Sequence, residues 1–217
     1  MIGIFGGTFD PVHYGHLRAA VEAKERLSLE SLRLLPAGTP PHRSSTFASA
    51  EHRLSMLRLA LQGHDDLSAD EREVRRSGYS YMSETLEEIR NEEGEVPLLL
   101  MLGQDAVNKL DSWHQWRRLF DLAHLVIMRR PDSKHIYSGK LFEEIQPRLI
   151  TDQSLLAESP CGYVLPLEVT QLAISSTEIR QHMALQHSSR FLLPDLVIEY
   201  IHNHDLYQQS DCDSDPR

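Results

Sequence analysis

Apolar residues fall into short unbroken runs that alternate with longer stripes of helical period along most of the chain. Met1 to Phe5, Ser31 to Pro36, Pro97 to Asp105 and Ala123 to Met128 are compact apolar runs bounded by Gly, Pro or polar residues, which is how strands buried on both faces read. The third run is the strongest and stops at Gly103. Tyr163 to Leu167 is a shorter run of the same kind, and the acidic stretch Leu67 to Val74 predicts a strand near a sheet edge. Leu17, Ala20, Val21, Lys24 and Leu27 keep a 3.6-residue period, as do His52, Met56, Leu59 and Ala60 within Ser49 to Leu61. Further helices are expected through Thr85, Leu86 and Ile89, around Leu141 to Ile145, and from Leu193-Pro194 to His204. Strands alternating with helices predict an α/β fold with parallel strands joined by crossovers. Residues 1 to 207 read as one domain without repeats or an internal linker, and 208 to 217 as a polar, disordered tail.

The densest chemistry lies where the first strand meets the first helix, in Gly3-Ile-Phe-Gly-Gly-Thr-Phe-Asp-Pro-Val-His-Tyr-Gly-His16. Gly6-Gly7 allows a sharp turn and close approach of backbone to a ligand, and a helix begins near His13 to His16. Free N–H groups and the positive end of the helix dipole meet there, an arrangement suited to phosphate. His13 and His16, three apart, can face the same anion. Two histidines alone would suit a solvated helix start; the whole combination points to function.

Other strand exits carry weaker signals, each with a structural alternative. The Pro-rich loop Ala37 to Arg43 follows the second strand; Arg43 and Arg53 read as surface charges or phosphate contacts, with Arg43 the better candidate. Asp105, at the end of the strongest strand, either caps the next helix or holds a ribose hydroxyl. Trp113 and Trp116 are either core or, close to a ligand-facing strand end, able to stack on a flat ring. Arg129-Arg130 is a surface pair or a phosphate contact. Ser175 with Glu178 makes a capping box, and the hydroxyl-rich start Ile174 to Thr177 with Arg180 one turn in also makes a second phosphate clamp.

The composition of the 217 residues is that of a globular protein, and the net charge of −10 argues against broad nucleic-acid binding. No apolar run is long enough to cross a membrane, and Met1 leads straight into the first strand, so a cytoplasmic protein is expected. Cys161 and Cys212 offer neither a disulfide framework nor zinc-site spacing. Nothing in the pattern specifies an oligomeric state.

Gly6 to His16 together with Ile174-Ser-Ser-Thr-Glu-Ile-Arg180 resembles the signature pair of the nucleotidylyltransferase superfamily. Pro40-Pro-His-Arg43, Ser80-Tyr81 with Thr85-Leu86, Gly103-Gln-Asp105, Trp113, Arg129-Arg-Pro131 and Leu193-Pro194 narrow the resemblance to bacterial nicotinate mononucleotide adenylyltransferases. The resemblance implies a Rossmann-like doubly wound sheet with helices on both faces and a helical C-terminal part. It implies transfer of AMP from ATP to nicotinate mononucleotide, with Mg²⁺ carried on the ATP phosphates and no metal held by the protein itself. By the same resemblance His13, His16 and Arg180 are catalytic. Gly6, Gly7, Thr8, Phe9, Gly103, Asp105, Ile174, Ser175, Ser176 and Thr177 complete the ATP site. Arg43, Thr85, Trp113, His114 and Arg130 receive the mononucleotide. Relatives act on nicotinamide mononucleotide or phosphopantetheine; Trp113 and Ser80-Tyr81 suit a flat ring better than the latter. An aminoacyl-tRNA synthetase with a His-x-Gly-His turn is opposed by the missing anticodon-binding region and by the acidic charge. A catalytically silent nucleotide sensor is the reading from another class, and intact His13, His16, Thr177 and Arg180 speak against it.

Overall fold

A computed structural model of the chain describes residues 1–39, 46–129, 139–170 and 172–208. Among these, six parallel strands form one sheet. They are β1 (Ile2–Gly7), β2 (Ser31–Pro36), β3 (Leu67–Ala69), β4 (Leu98–Gly103), β5 (His124–Arg129) and β6 (Val164–Glu168). The α-helices are α1 (Tyr14–Arg26), α2 (Ala50–Ala60), α3 (Arg72–Arg75), α4 (Met82–Glu93), α5 (Gln104–Val107), α6 (Leu119–Leu122), α7 (Gly139–Ile145), α8 (Ser176–Ala184) and α9 (Asp195–Asn203).

The strand order is β3-β2-β1-β4-β5-β6. The chain winds outward from β1 to β3, returns past β1 to β4, and winds outward again. The order reverses between β1 and β4, and ligands of open parallel sheets bind outside the carboxyl ends of the strands at such a point.

Alternation along the strands explains their continuous hydrophobicity. Leu98, Leu100 and Leu102 of β4 pack with Leu86 and Ile89 of α4 and with Phe120 of α6 on one face. Leu99 and Met101 join Ala20 of α1, Met56 of α2, Ile179 of α8 and Val197 of α9 on the other. β4 is thus covered on both sides and keeps no polar alternation, whereas β3 at the sheet edge exposes Ser68. Among the described residues no helix is long and apolar enough to cross a membrane.

Two local expectations change. The edge strand ends at Ala69 rather than Val74, because the Asp70 carboxylate accepts the Arg72 amide at 3.1 Å and starts α3, which takes in Glu73 and Val74. In α2 the buried face is Arg53, Leu54, Met56, Leu57 and Ala60, with His52 and Leu59 at its borders. Arg53, read from the sequence as a surface charge or a phosphate contact, lies wholly in the interior. The segment Pro40 to Arg43, Arg130-Pro131 and the tail from Gln209 lie outside the described residues.

Candidate nucleotide site

The site begins where β1 runs out. Thr8 to Val12 carry the chain to α1, and within that turn Phe9 takes the left-handed conformation at φ 50°. That conformation costs a residue with a Cβ about 1–2 kcal/mol. Its buried ring packs edge-on against Phe5 at 5.7 Å and against the His16 imidazole at 5.0 Å. A Cβ on Gly7 would lie 2.9 Å from the Phe9 ring, and one on Gly6 would lie 2.9 Å from the Met82 methyl. The two glycines therefore make room for side chains of the protein itself, and the left-handed residue of the turn is Phe9.

Asp10 anchors this turn. Its carboxylate accepts the amides of Phe47 at 2.8 Å and Ala48 at 3.2 Å and the hydroxyl of Tyr207 at 2.6 Å. Burial, followed by the nearby Asp10 charge, pushes the Tyr207 hydroxyl far above its ordinary range, so it remains a donor.

His13 is the N-cap of α1 and His16 lies in its first turn. Their imidazoles stack with centroids 3.7 Å apart and planes inclined by 27°. Burial pushes His13 down to about 4. Burial first, and the neighbouring His13 second, hold His16 well below the usual histidine range. Both rings are therefore uncharged at neutral pH. The Nδ1 atoms of both are buried without a hydrogen-bond partner among the described residues, an arrangement that folded proteins seldom keep without a use.

The second motif docks on the same turn. Ser175 caps α8 by accepting the Glu178 amide at 3.2 Å and donating to its carboxylate at 3.0 Å. Ser176 Oγ donates to Pro11 O at 3.0 Å across a separation of 165 residues, and Arg180 Nη1 donates to Asp10 O at 2.7 Å across 170. Arg180 Nη2 also reaches Thr177 Oγ1 at 3.3 Å, and the guanidinium lies 4.1 Å over the Phe47 ring. The Tyr14 amide donates to Leu192 O at 2.9 Å, closing the seam from the C-terminal side.

Across the switch point, Phe5 of β1 pairs with Met101 of β4, so Gly103 ends its strand beside the end of β1. Gly103 is the N-cap of α5 and no side chain caps that helix; Asp105 is exposed in its first turn, so the capping alternative is not the one taken. The two tryptophans part company. Trp116 is 8% exposed and meets Phe120 edge-on, whereas Trp113 is half-buried at the border of the core. His114 lies 4.4 Å from the Tyr81 ring, joining the segment after β4 to the one before α4.

Thr85 is fully buried and its hydroxyl is committed on both sides. It donates to Glu73 Oε1 at 2.9 Å and accepts from Arg76 Nη1 at 3.0 Å. Burial raises the Glu73 carboxyl, against the opposing hydrogen bonds from Thr85 and Gly38. Neither Glu73 nor Arg76 stands out in the sequence, because Glu73 falls in the acidic stretch that predicts an edge strand and Arg76 in the turn that follows it. Arg129 pairs with Glu168 at 3.0 Å, and Arg43 and Arg130 lie outside the described residues.

These features are those of a nucleotide-transferring α/β fold, and the cytidylyltransferase-like family model matches residues 4–182. A probable nicotinate-nucleotide adenylyltransferase of Methylococcus capsulatus is 51% identical over 95% of this chain and 99% of its own length. One of Hahella chejuensis is 43% identical over 95% of each. The chain belongs to the nicotinate-nucleotide adenylyltransferase family. A nicotinic acid mononucleotide adenylyltransferase of Plasmodium falciparum, solved in complex with NaAD, superposes with a TM-score of 0.70 at 18% identity over 95% of this chain and 96% of its own, a likeness of fold.

The buried imidazoles make stability depend on pH. An unfolded chain binds near pH 6.5 the proton that folded His13 refuses until about 4, so the stability is full above pH 6.5 and is lost as pH falls towards 4. From pH 7.5 to pH 5 the loss due to His13 is about 2 kcal/mol. Urea unfolding at both pH values should show a loss smaller by about that amount in His13→Gln than in wild type. Equal losses would mean that residue 13 titrates as in the unfolded chain.

Proposed function

We propose that the chain transfers AMP from ATP to nicotinate mononucleotide, forming nicotinate adenine dinucleotide and pyrophosphate. The observation that carries this reading is the seam itself. Ser176 on Pro11, Arg180 on Asp10 and Tyr14 on Leu192 bring the starts of α1 and α8 to one turn at the carboxyl edge of the sheet. Two helix N-termini, two uncharged imidazoles and one guanidinium suit a polyphosphate. The relatives' names supply the acceptor.

The nucleophile is a phosphate monoester whose second pKa is about 6, so most of it is already dianionic at neutral pH and needs no general base. The protein's task is to align this oxygen with the α-phosphorus and to stabilise charge on the α-oxygens and the departing pyrophosphate. His13 and His16, low in pKa, are read as neutral N–H donors to phosphate oxygens rather than proton abstractors. Arg180 supplies the fixed positive charge. Mg²⁺ brought in by the nucleotide would supply positive charge to its phosphates, beside the His13, His16 and Arg180 side chains that hold their oxygens. The donors at the seam are imidazoles, the Thr177 hydroxyl and a guanidinium, which suit phosphate oxygens. Among the described residues no three His, Cys, Asp or Glu side chains gather to hold an ion directly.

The acceptor side is read as Trp113 stacking on the pyridine ring, with His114 and the start of α4 near its carboxylate. Because the one hydroxyl proton of Thr85 is given to Glu73, Thr85 serves that site by fixing the first turn of α4, whose leading amides are free of helical partners. Asp105 is read as the acceptor of a ribose hydroxyl, and Gly6 to Phe9 with Ile174 to Thr177 as the frame of the triphosphate.

Pyrophosphate release from ATP, measured with nicotinate or nicotinamide mononucleotide as acceptor, tests the function. Release with the nicotinate form at a kcat/KM at least tenfold higher is expected. No release with either would refute adenylyl transfer, and preference for the amide would refute the acceptor. His16→Ala should lower kcat by about 10²–10³ with a smaller change in KM, the scale for losing one preorganised donor. Turnover near wild type, with chemistry limiting, would remove His16 from the transition state.

A further inference from the structure

We propose that Arg53 is a positioning residue for the transfer: from inside the core it sets the spacing between the nucleotide-binding turn after β1 and the acceptor-side loop after β2. The inference rests on the adenylyl-transfer reading above and adds to it a residue that touches neither substrate.

Its side chain is 0% exposed. Nη1 donates to Thr8 O at 2.8 Å, Nη2 to Gly38 O at 3.0 Å and Nε to Ala48 O at 3.3 Å. These carbonyls belong to the turn after β1, the loop after β2 and the approach to α2. Among the described residues the last backbone hydrogen bond between the diverging ends of β1 and β2 is Ala37 N to Gly7 O at 2.9 Å. Thr8 follows that bond on one strand and Gly38 on the other, so the guanidinium continues the ladder where the ladder has stopped.

The chemistry favours arginine here. A planar fork with N–H donors on all three nitrogens can meet three carbonyls in fixed directions, which the point charge of a lysine cannot reproduce. Burying a cation carries a desolvation cost of several kcal/mol. Tying loops for stability alone does not demand that expense. The clamp also closes around one residue: Ala48 gives its N–H to Asp10 at 3.2 Å and its carbonyl to Arg53. Arg53 thereby shares a rigid frame with Asp10, whose own carbonyl holds Arg180. On the other side Gly38 leads to Thr39, whose carbonyl accepts the Ser80 amide at 3.0 Å, one residue before the Tyr81 ring that meets His114. Arg53 therefore stands between the ATP seam and the acceptor segment, and a shift there changes their separation while leaving each half intact. A misplacement of about 1 Å can cost on the order of 10²-fold in rate.

The test uses the full chain with Arg53→Lys, which keeps the charge, and Arg53→Gln, which keeps a donor without it. Equilibrium binding of ATP alone and of nicotinate mononucleotide alone is measured by calorimetry, and the transfer step by rapid-quench single turnover with both substrates saturating. In folded variants each substrate should bind within about threefold of wild type while transfer slows by about 10–100-fold. A transfer rate equal to wild type, a loss accounted for by weaker binding of one substrate, or unfolding of both variants would overturn the proposal and leave Arg53 to stability. Wild-type chain serves as the control: absence of dinucleotide from it sinks the functional reading, whereas product from wild type with an unchanged rate in the variants sinks only this inference.

Discussion

The buried carboxylate of Asp10 is the constraint on which the rest of the site depends. It gathers the Phe47 and Ala48 amides and the Tyr207 hydroxyl. Charge-assisted hydrogen bonds of this kind contribute about 1.5–3 kcal/mol each, and a buried carboxylate left without them would be costly. Three distant parts of the chain are thus committed to one turn: the approach to α2, the C-terminal end of the described chain, and, through the Asp10 carbonyl, α8 with Arg180. The left-handed Phe9 and the stacked histidines next to it are conformations that a loose turn would relax. They persist because the surroundings over-determine them.

On the proposed reading, that frame lets an acidic protein hold a polyphosphate. The overall charge of −10 acts at long range and is screened by salt, whereas the seam presents its donors within a few ångströms. Most of those donors are dipoles: two helix starts, the Thr177 hydroxyl, and imidazoles kept neutral by burial. Neutral, fixed donors bind ground-state phosphate less tightly than a cluster of cations would. They still stabilise charge that builds up on the leaving group, which is where binding energy accelerates a reaction. The permanent charges are arginines tied to main-chain carbonyls, Arg180 at the seam and Arg53 beneath it.

Much of the fold was legible in the sequence because strands covered on both faces leave unbroken apolar runs. Ser31–Pro36 has the boundaries its apolar run predicts, and the last helix, expected from Leu193-Pro194 to His204, runs Asp195–Asn203. Both motifs were legible because glycine, histidine and hydroxyl residues are dense there. Their docking was implied only by resemblance, since nothing local in Gly6 to His16 points to Ser176 or Arg180. Arg53 was misread for a related reason: its neighbours follow an ordinary amphipathic pattern, and what buries it is the convergence of carbonyls from residues 8, 38 and 48. Trp113 and Trp116 share one spacing, and only packing against Phe120 separates the core ring from the half-exposed one. The roles of Asp10 and Tyr207 were hidden by a separation of 197 residues.

On the proposed reading the protein catalyses by positioning, with one direct displacement at phosphorus and no bond to either histidine. A neutral imidazole is also a competent nucleophile, so His13 and His16 could in principle carry the nucleotide themselves. The most direct measurement uses ATP made chiral at the α-phosphorus by sulfur substitution and determines the configuration of the dinucleotide formed. A single in-line displacement predicts inversion. Retention would require two displacements through a nucleotidyl-enzyme and would contradict the account.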